Sequence, residues 1–320
     1  MLVWIIFIAC ITLFLILDLA VINRKPHEIK TKEAAFWTSV WVGVALAFSG
    51  VIYWLFDAGL VENPTNLLPH QALIKYITGY FIELSLSIDN VFVIAVIFSS
   101  FAIPKKYQHE VLFYGIMGAI VFRALMIFFG VALINKFEWI IYVFGVFLLF
   151  TAYRMLVHKE ENFDPKKSFI FKGLKKLFPV TYKMDKDKFF IRRMGVKAAT
   201  PLFVALIVIE LTDILFALDS IPAILAITSD PFIVFSSNIL AIMGLRSMYF
   251  LISLMLDKFR FINYSLVVIL AFVGIKMILS DLVEFHELLS LGIIAISLIG
   301  GIVASIVFPA PAKATAEDNS

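Results

Sequence analysis

Long apolar runs alternate with short polar stretches along most of the chain. A bilayer core about 30 Å thick is crossed by about 20 apolar residues in a helix. Nine runs meet that length, at about 2–22, 36–56, 72–100, 110–134, 138–157, 199–228, 232–256, 261–281 and 287–308. The first differs from a secretory signal. It has no basic n-region, it is too long for an h-region, and Asp18 follows with no small-residue cleavage site. It reads as a retained helix. The expected fold class is all-α, a polytopic membrane protein of about nine transmembrane helices.

Composition agrees. Of 320 residues, 62% are hydrophobic and 16% charged, against about 45–50% and about 25% in soluble domains. So much apolar area would spill onto a water-facing surface. Disorder, collagen and a disulfide-rich secreted fold are excluded by the same figures. A net charge of +3, not gathered on one folded surface, argues against nucleic acid as a partner. The partner implied throughout is the lipid bilayer. The single Cys10 lies in an apolar run and can form no disulfide within the chain.

Lys and Arg in the loops set an expected orientation, since cytoplasmic loops carry the excess. The 23–35 loop holds Arg24, Lys25, Lys30 and Lys32, whereas 57–71 holds none. The 158–198 loop holds twelve, and the 229–231 turn none. Basic and poor loops alternate to the end, which places the N-terminus outside and the C-terminus in the cytoplasm. In 158–198, Phe169, Ile170, Phe171, Leu174, Leu177 and Phe178 lie among lysines. That suits an amphipathic segment on anionic lipid, a topogenic linker or a partner-binding loop.

The chain also repeats itself. Glu83-Leu84-Ser85-Leu86-Ser87-Ile88-Asp89-Asn90 lies over Asp213-Ile214-Leu215-Phe216-Ala217-Leu218-Asp219-Ser220. An arginine follows within the next span each time, Arg123 and Arg246, and Tyr142 and Arg154 recur as Tyr264 and Lys276. The unit is three helices, 72–157 and 199–281. An odd number of spans reverses the second copy across the membrane, giving the 3+3 inverted repeat of secondary transporters, whose sites form near the midplane. The expected organisation is two N-terminal transmembrane helices in 1–71, the first repeat in 72–157, the basic loop in 158–198, the second repeat in 199–281, and a last helix with a cytoplasmic tail in 282–320.

Six carboxylates fall inside predicted spans: Asp18, Glu83, Asp89, Glu210, Asp213 and Asp219. An ionised acid at mid-bilayer costs on the order of 2.5–3.5 kcal/mol, and such residues mark ion pathways. Only Arg123 and Arg246 lie centrally enough to be charge partners, so the excess needs protons, water or a bound cation. The available ligands are oxygens, from the carboxylates, Asn90, Ser85, Ser87, Thr212, Ser220 and backbone carbonyls. These suit Mg²⁺, Ca²⁺ and Mn²⁺ and do not separate the three. The expected ligands are Glu83, Asp89, Asp213 and Asp219, which recur between copies, with Asn90, Ser220, Glu210 and Asp18 in support.

Residues six apart differ by a net 120° around a helix, so Glu83 and Asp89 do not stack, whereas Glu210 and Asp213 share a face. Either the helices line a wide cavity or they unwind. Pro222 removes the hydrogen bond to the carbonyl of Leu218 and predicts an opening beside Asp219.

At these residues the sequence resembles the TerC family of integral membrane proteins, in its Alx-like branch. The resemblance rests on the segment 83–90 and on Glu210-Leu211-Thr212-Asp213-Ile214-Leu215-Phe216-Ala217-Leu218-Asp219-Ser220-Ile221-Pro222-Ala223, and covers nearly all the chain. The family is linked by name to tellurium resistance. The resemblance implies manganese efflux and relief of manganese stress; neither the metal nor the direction comes from composition.

The expectation is a bacterial inner-membrane Mn²⁺ exporter, not an enzyme, with no resident cofactor. Moving a divalent ion out against about 100 mV costs roughly 4.6 kcal/mol, at about 2.3 per charge. Entry of protons offsets this, and no nucleotide-binding motif is present. The alternative is a membrane scaffold that recruits stress or metal-loading proteins through the 158–198 loop. An intramembrane aspartyl protease is disfavoured, because the Gly-x-Gly-Asp motif of one such class is absent and the repeat would go unexplained.

Overall fold

A computed structural model describes residues 2–17, 30–137, 139–157, 179–181, 188–193, 196–253, 261–279, 282–283 and 285–308. Among these residues the chain forms nine α-helices: α1 (Leu2–Leu17), α2 (Thr31–Asp57), α3 (Pro69–Ser100), α4 (Lys105–Lys136), α5 (Ile140–Val157), α6 (Pro201–Leu225), α7 (Pro231–Ser253), α8 (Ile262–Ile278) and α9 (Glu287–Val307). Lipid offers the backbone no hydrogen bonds, so apolar runs satisfy their own as helices. Seven of the nine are long and apolar enough to cross a bilayer; α1 and α8, of 16 and 17 residues, are shorter. The helices α3 and α4, each of 32 residues, measure about 48 Å at 1.5 Å per residue. They overrun the hydrocarbon core or tilt within it.

Proline marks the starts. Pro69 and Pro201 occupy the first turn, where a missing N–H costs nothing. The end of α2 is closed by Gly59, at φ 63°. The N–H of Leu60 returns to the carbonyl of Leu55 and that of Gly59 to Phe56, a Schellman closure that glycine adopts without strain.

The 158–198 loop departs from a plain linker. Phe190–Arg193 and Val196–Ala199 pair as an antiparallel hairpin, with Arg192 opposite Lys197, leading directly into α6. The span predicted from 199 therefore begins as helix only at Pro201. The amphipathic stretch 169–178 lies outside the described residues.

α7 is the central helix. Ser236, Ser237 and Asn238 in its N-terminal half have no exposure. It packs against α2, α3 and α4, and α4 packs in turn on α6, α3 on α6, and α5 on α8. Exchanging α3, α4 and α5 for α6, α7 and α8 turns the α3–α7 contact into the α6–α4 contact and returns the α3–α6, α4–α7 and α5–α8 contacts to themselves. At the α5–α8 crossing the backbones touch: a Cβ at Gly145 would lie 3.0 Å from the Gly274 carbonyl, and one at Gly274 2.9 Å from that of Gly145. Outward faces such as Val121, Phe128 and Phe129 of α4 are exposed and apolar, as a lipid-facing surface requires.

Candidate functional site

Helical spacing aims the polar groups inward. Glu83, Ser87 and Asn90 stand at i, i+4 and i+7 on one face of α3, and Glu210, Asp213 and Ser220 at i, i+3 and i+10 on α6. From α4 and α7 come Arg123 and Asn238. Arg123 is the centre of the cluster, with 1% of its side chain exposed. Its Nε and Nη2 fork onto Asp213, at 3.5 Å to Oδ2 and 3.3 Å to Oδ1. Nη1 donates to Glu83 Oε1, to Asn238 Oδ1 at 2.9 Å and to Ser220 Oγ at 3.3 Å. Asn238 passes the interaction on, its Nδ2 donating to Glu83 Oε2 at 3.1 Å. Ser87 donates to Glu83 Oε1 at 3.4 Å, and Asn90 Nδ2 to Asp213 Oδ1 at 3.3 Å. A buried charge is tolerated only when paired and hydrogen-bonded, and this network does both for three charges at once.

Beside it lies a cavity of about 20 Å³, room for about one water. Its walls include Asn90 from α3, Gly115, Ile116 and Ala119 from α4, and Glu210, Thr212 and Asp213 from α6. Two oxygens buried there have no hydrogen-bond partner, Asn90 Oδ1 and Glu210 Oε2. Because the Asn90 amide nitrogen already serves Asp213, both are acceptors awaiting a donor or a cation. The Glu210 carboxylate fits a slot in α4 that lacks side chains. A Cβ at Gly118 would overlap it, and one at Gly115 would lie 3.9 Å from Oε1.

Of the expected ligands, Glu83 and Asp213 thus meet on one guanidinium. Asp89 and Asp219 lie on α3 and α6, with side chains outside the described residues, as is Asp18 altogether. Glu210 joins the Asp213 side of the cluster, and Ser220 and Asn90 touch the network. Arg246 is buried on α7. Among the described residues no group of three His, Cys, Asp or Glu side chains is gathered closely enough to hold a metal. The opening predicted at Pro222 is not present. α6 runs unbroken to Leu225 with Pro222 inside it, because packing of Ile221, Ala223 and Ile224 in the core, all under 5% exposed, holds the helix across the missing bond.

Two polar residues escaped the sequence reading. Asn238 is an amide, which is less conspicuous than an acid in an apolar run. Asp230 sits in the turn before α7, buried, with Oδ1 accepting the N–H groups of Phe232 and Ile233 at 3.0 Å each and Oδ2 without a hydrogen-bond partner. Burial pushes its carboxyl above the usual range, against the pull of those two donors and of Lys75.

The family model described as "Integral membrane protein TerC family" matches residues 68–313. A protein of Myxococcus xanthus named "Uncharacterized membrane protein STKORF319" is 45% identical over 304 residues, 95% of this chain and 92% of its own. The Escherichia coli protein named "Putative membrane-bound redox modulator Alx" is 42% identical over 295 residues, 92% of this chain and 90% of its own. No solved structure matches. With its apolar helices and a match that takes in α3 to α9, this multi-pass chain belongs to the TerC family of integral membrane proteins.

Proposed function

We propose that the protein is a divalent-cation transporter of the bacterial inner membrane, N-terminus outside, which exports Mn²⁺ in exchange for protons. The observation that carries this reading is the pair of unpartnered acceptors, Asn90 Oδ1 and Glu210 Oε2, beside two carboxylates, Glu83 and Asp213, that share one guanidinium. Buried acceptor oxygens with surplus negative charge are the chemistry of a hard cation or of a proton. The symmetric exchange of packing between α3–α5 and α6–α8 supports an inverted repeat, in which one triplet rocks against the other around a midplane site. Manganese and the outward direction rest on the family resemblance. The name of the Alx relatives points to redox modulation; a chain with Cys10 as its one thiol has no dithiol of its own to exchange. The scaffold alternative draws on the 158–198 loop, most of which lies outside the described residues, and no observation favours it.

The test is flux. Purified protein in liposomes moves Mn²⁺ when a pH gradient drives protons the opposite way, and the Asp89→Asn and Asp213→Asn proteins do not. Equal flux through wild type and both variants removes the site assignment.

A further inference from the structure

We propose that Arg123 is a built-in competitor for the transported cation. It fills the place on Glu83 and Asp213 while no ion is present, and it moves to Glu210 when a divalent ion takes those two carboxylates. The inference rests on the transport reading above and adds to it the device that couples ion arrival to motion.

Three observations meet in it. First, the guanidinium uses the same oxygens a divalent ion would need, Glu83 Oε1 and both oxygens of Asp213. A second cation cannot share those atoms with it at hydrogen-bond range without strong repulsion. Second, the partners of Arg123 belong to both triplets. It stands on α4, holds Glu83 on α3, and reaches across to Asp213 and Ser220 on α6 and Asn238 on α7. While it is seated, the triplets are tied together. Third, a landing place exists. Helical side chains lean toward the N-terminus of their own helix, and the α4 residues one and two turns before Arg123, namely Ala119, Ile116 and Gly115, form a wall of the cavity. Across it Glu210 Oε2 has no partner. The cavity of about 20 Å³ is too small to receive a guanidinium as it stands. The helices must part for Arg123 to move, and the same step releases the triplets from each other.

A double-mutant cycle on the full-length protein in lipid nanodiscs tests this, with equilibrium Mn²⁺ binding as the readout. Arg123→Gln removes the competitor, and Mn²⁺ affinity rises about tenfold or more. Glu210→Gln removes the landing place, and affinity falls by about as much. In the Arg123→Gln background the Glu210→Gln change has no further effect, since no arginine needs a seat. Arg123→Lys keeps the charge and loses the fork, so it folds as wild type does and binds Mn²⁺ more tightly than wild type. Should Arg123→Gln fail to fold, Arg123→Lys takes its place in the cycle, and Glu210→Gln then lowers affinity less than it does in wild type; an equal loss overturns the switch. If Glu210→Gln weakens binding equally with and without Arg123, Glu210 is a direct ligand and the switch is overturned. Weaker binding in both Arg123 variants also overturns it. A wild type that binds none of Mn²⁺, Mg²⁺ and Ca²⁺ overturns the transport reading and the switch with it; a wild type that binds while the cycle is additive overturns the switch alone.

Discussion

Replacing Asn238 with leucine removes an amide of similar volume and no charge, and it isolates what the network contributes to stability. Asn238 has no exposed surface and makes two hydrogen bonds to charged groups. One is from Arg123 at 2.9 Å and the other to Glu83 at 3.1 Å. Hydrogen bonds to charged groups contribute about 1.5–3 kcal/mol each, so the two together set an upper range of about 3–6. Arg123 Nη1 retains Glu83 and Ser220, whereas Glu83 Oε2, among the described residues, takes its hydrogen bond from the Asn238 amide and is left as a buried carboxylate oxygen without it. The expected loss is therefore about 3 kcal/mol, dominated by that oxygen. The neighbour Ser236 gives the control. It is equally buried, but among the described residues its hydroxyl bonds to the Ile233 carbonyl of its own helix alone, at 3.4 Å, so Ser236→Ala costs less than about 1 kcal/mol. Unfolding in mixed micelles with rising SDS, followed by fluorescence of the five tryptophans, compares the two variants with wild type. If Asn238→Leu and Ser236→Ala differ from wild type by the same amount, the amide does not bridge Arg123 and Glu83.

Gly118→Ala drives a methyl into the Glu210 carboxylate, while Gly115→Ala meets nothing closer than 3.7 Å. Mn²⁺ flux in liposomes should fall about tenfold or more in the first, equivalent to about 1.4 kcal/mol on the barrier, and stay close to wild type in the second, with both proteins folded. Asp230 gives a pH signature. Its folded carboxyl is raised above the ordinary value of 3.8, so the folded state holds the proton more tightly than the unfolded state. Stability is then greatest below 3.8 and falls as pH rises from there through the folded value. Asp230→Asn keeps an oxygen for the Phe232 and Ile233 amides and removes the titration, so its unfolding midpoint should lose that slope. An unchanged slope would assign the pH dependence elsewhere.

The helices were legible because lipid leaves an apolar run one way to satisfy its backbone. The acids were legible for a related reason: Glu83 and Asp213 stand out where charge is expensive. What the sequence left open is how they are satisfied. Counting charges suggested one arginine for each acid at most, but a guanidinium has five donors, and Arg123 holds both Glu83 and Asp213. Pro222 misled because the local rule concerns one hydrogen bond, and packing in the α6 core outweighs it. The hairpin at 190–199 was hidden by the lysines and arginines around it, which read as a charged loop although Phe190 and Ile191 run opposite Ala199 and Ala198.

Comparing the two repeats directed attention to residues that recur, yet two of the residues that shape the site do not. Glu210 lies over Tyr80, and Asn238, eight residues before Arg246, lies over Gly115, eight before Arg123. In an inverted repeat with identical copies, the arrangement open to one side and the arrangement open to the other would be equal in energy, because exchanging the copies converts one into the other. Glu210 and Asn238 belong to the second copy alone; Asn238 bonds to Arg123 of the first, and Glu210 receives it in the proposed switch. Asn238 holds the guanidinium where it now sits, with a hydrogen bond of 2.9 Å, and Glu210 offers the only acidic seat on the far side of the cavity among the described residues. Under the proposed switch, these two departures from symmetry set the resting preference and the ion-bound preference separately. Losing Asn238 therefore does more than destabilise the fold: it weakens the seated state of Arg123 and should tighten Mn²⁺ binding at the same time. A purely structural amide would give looser binding or none of this effect.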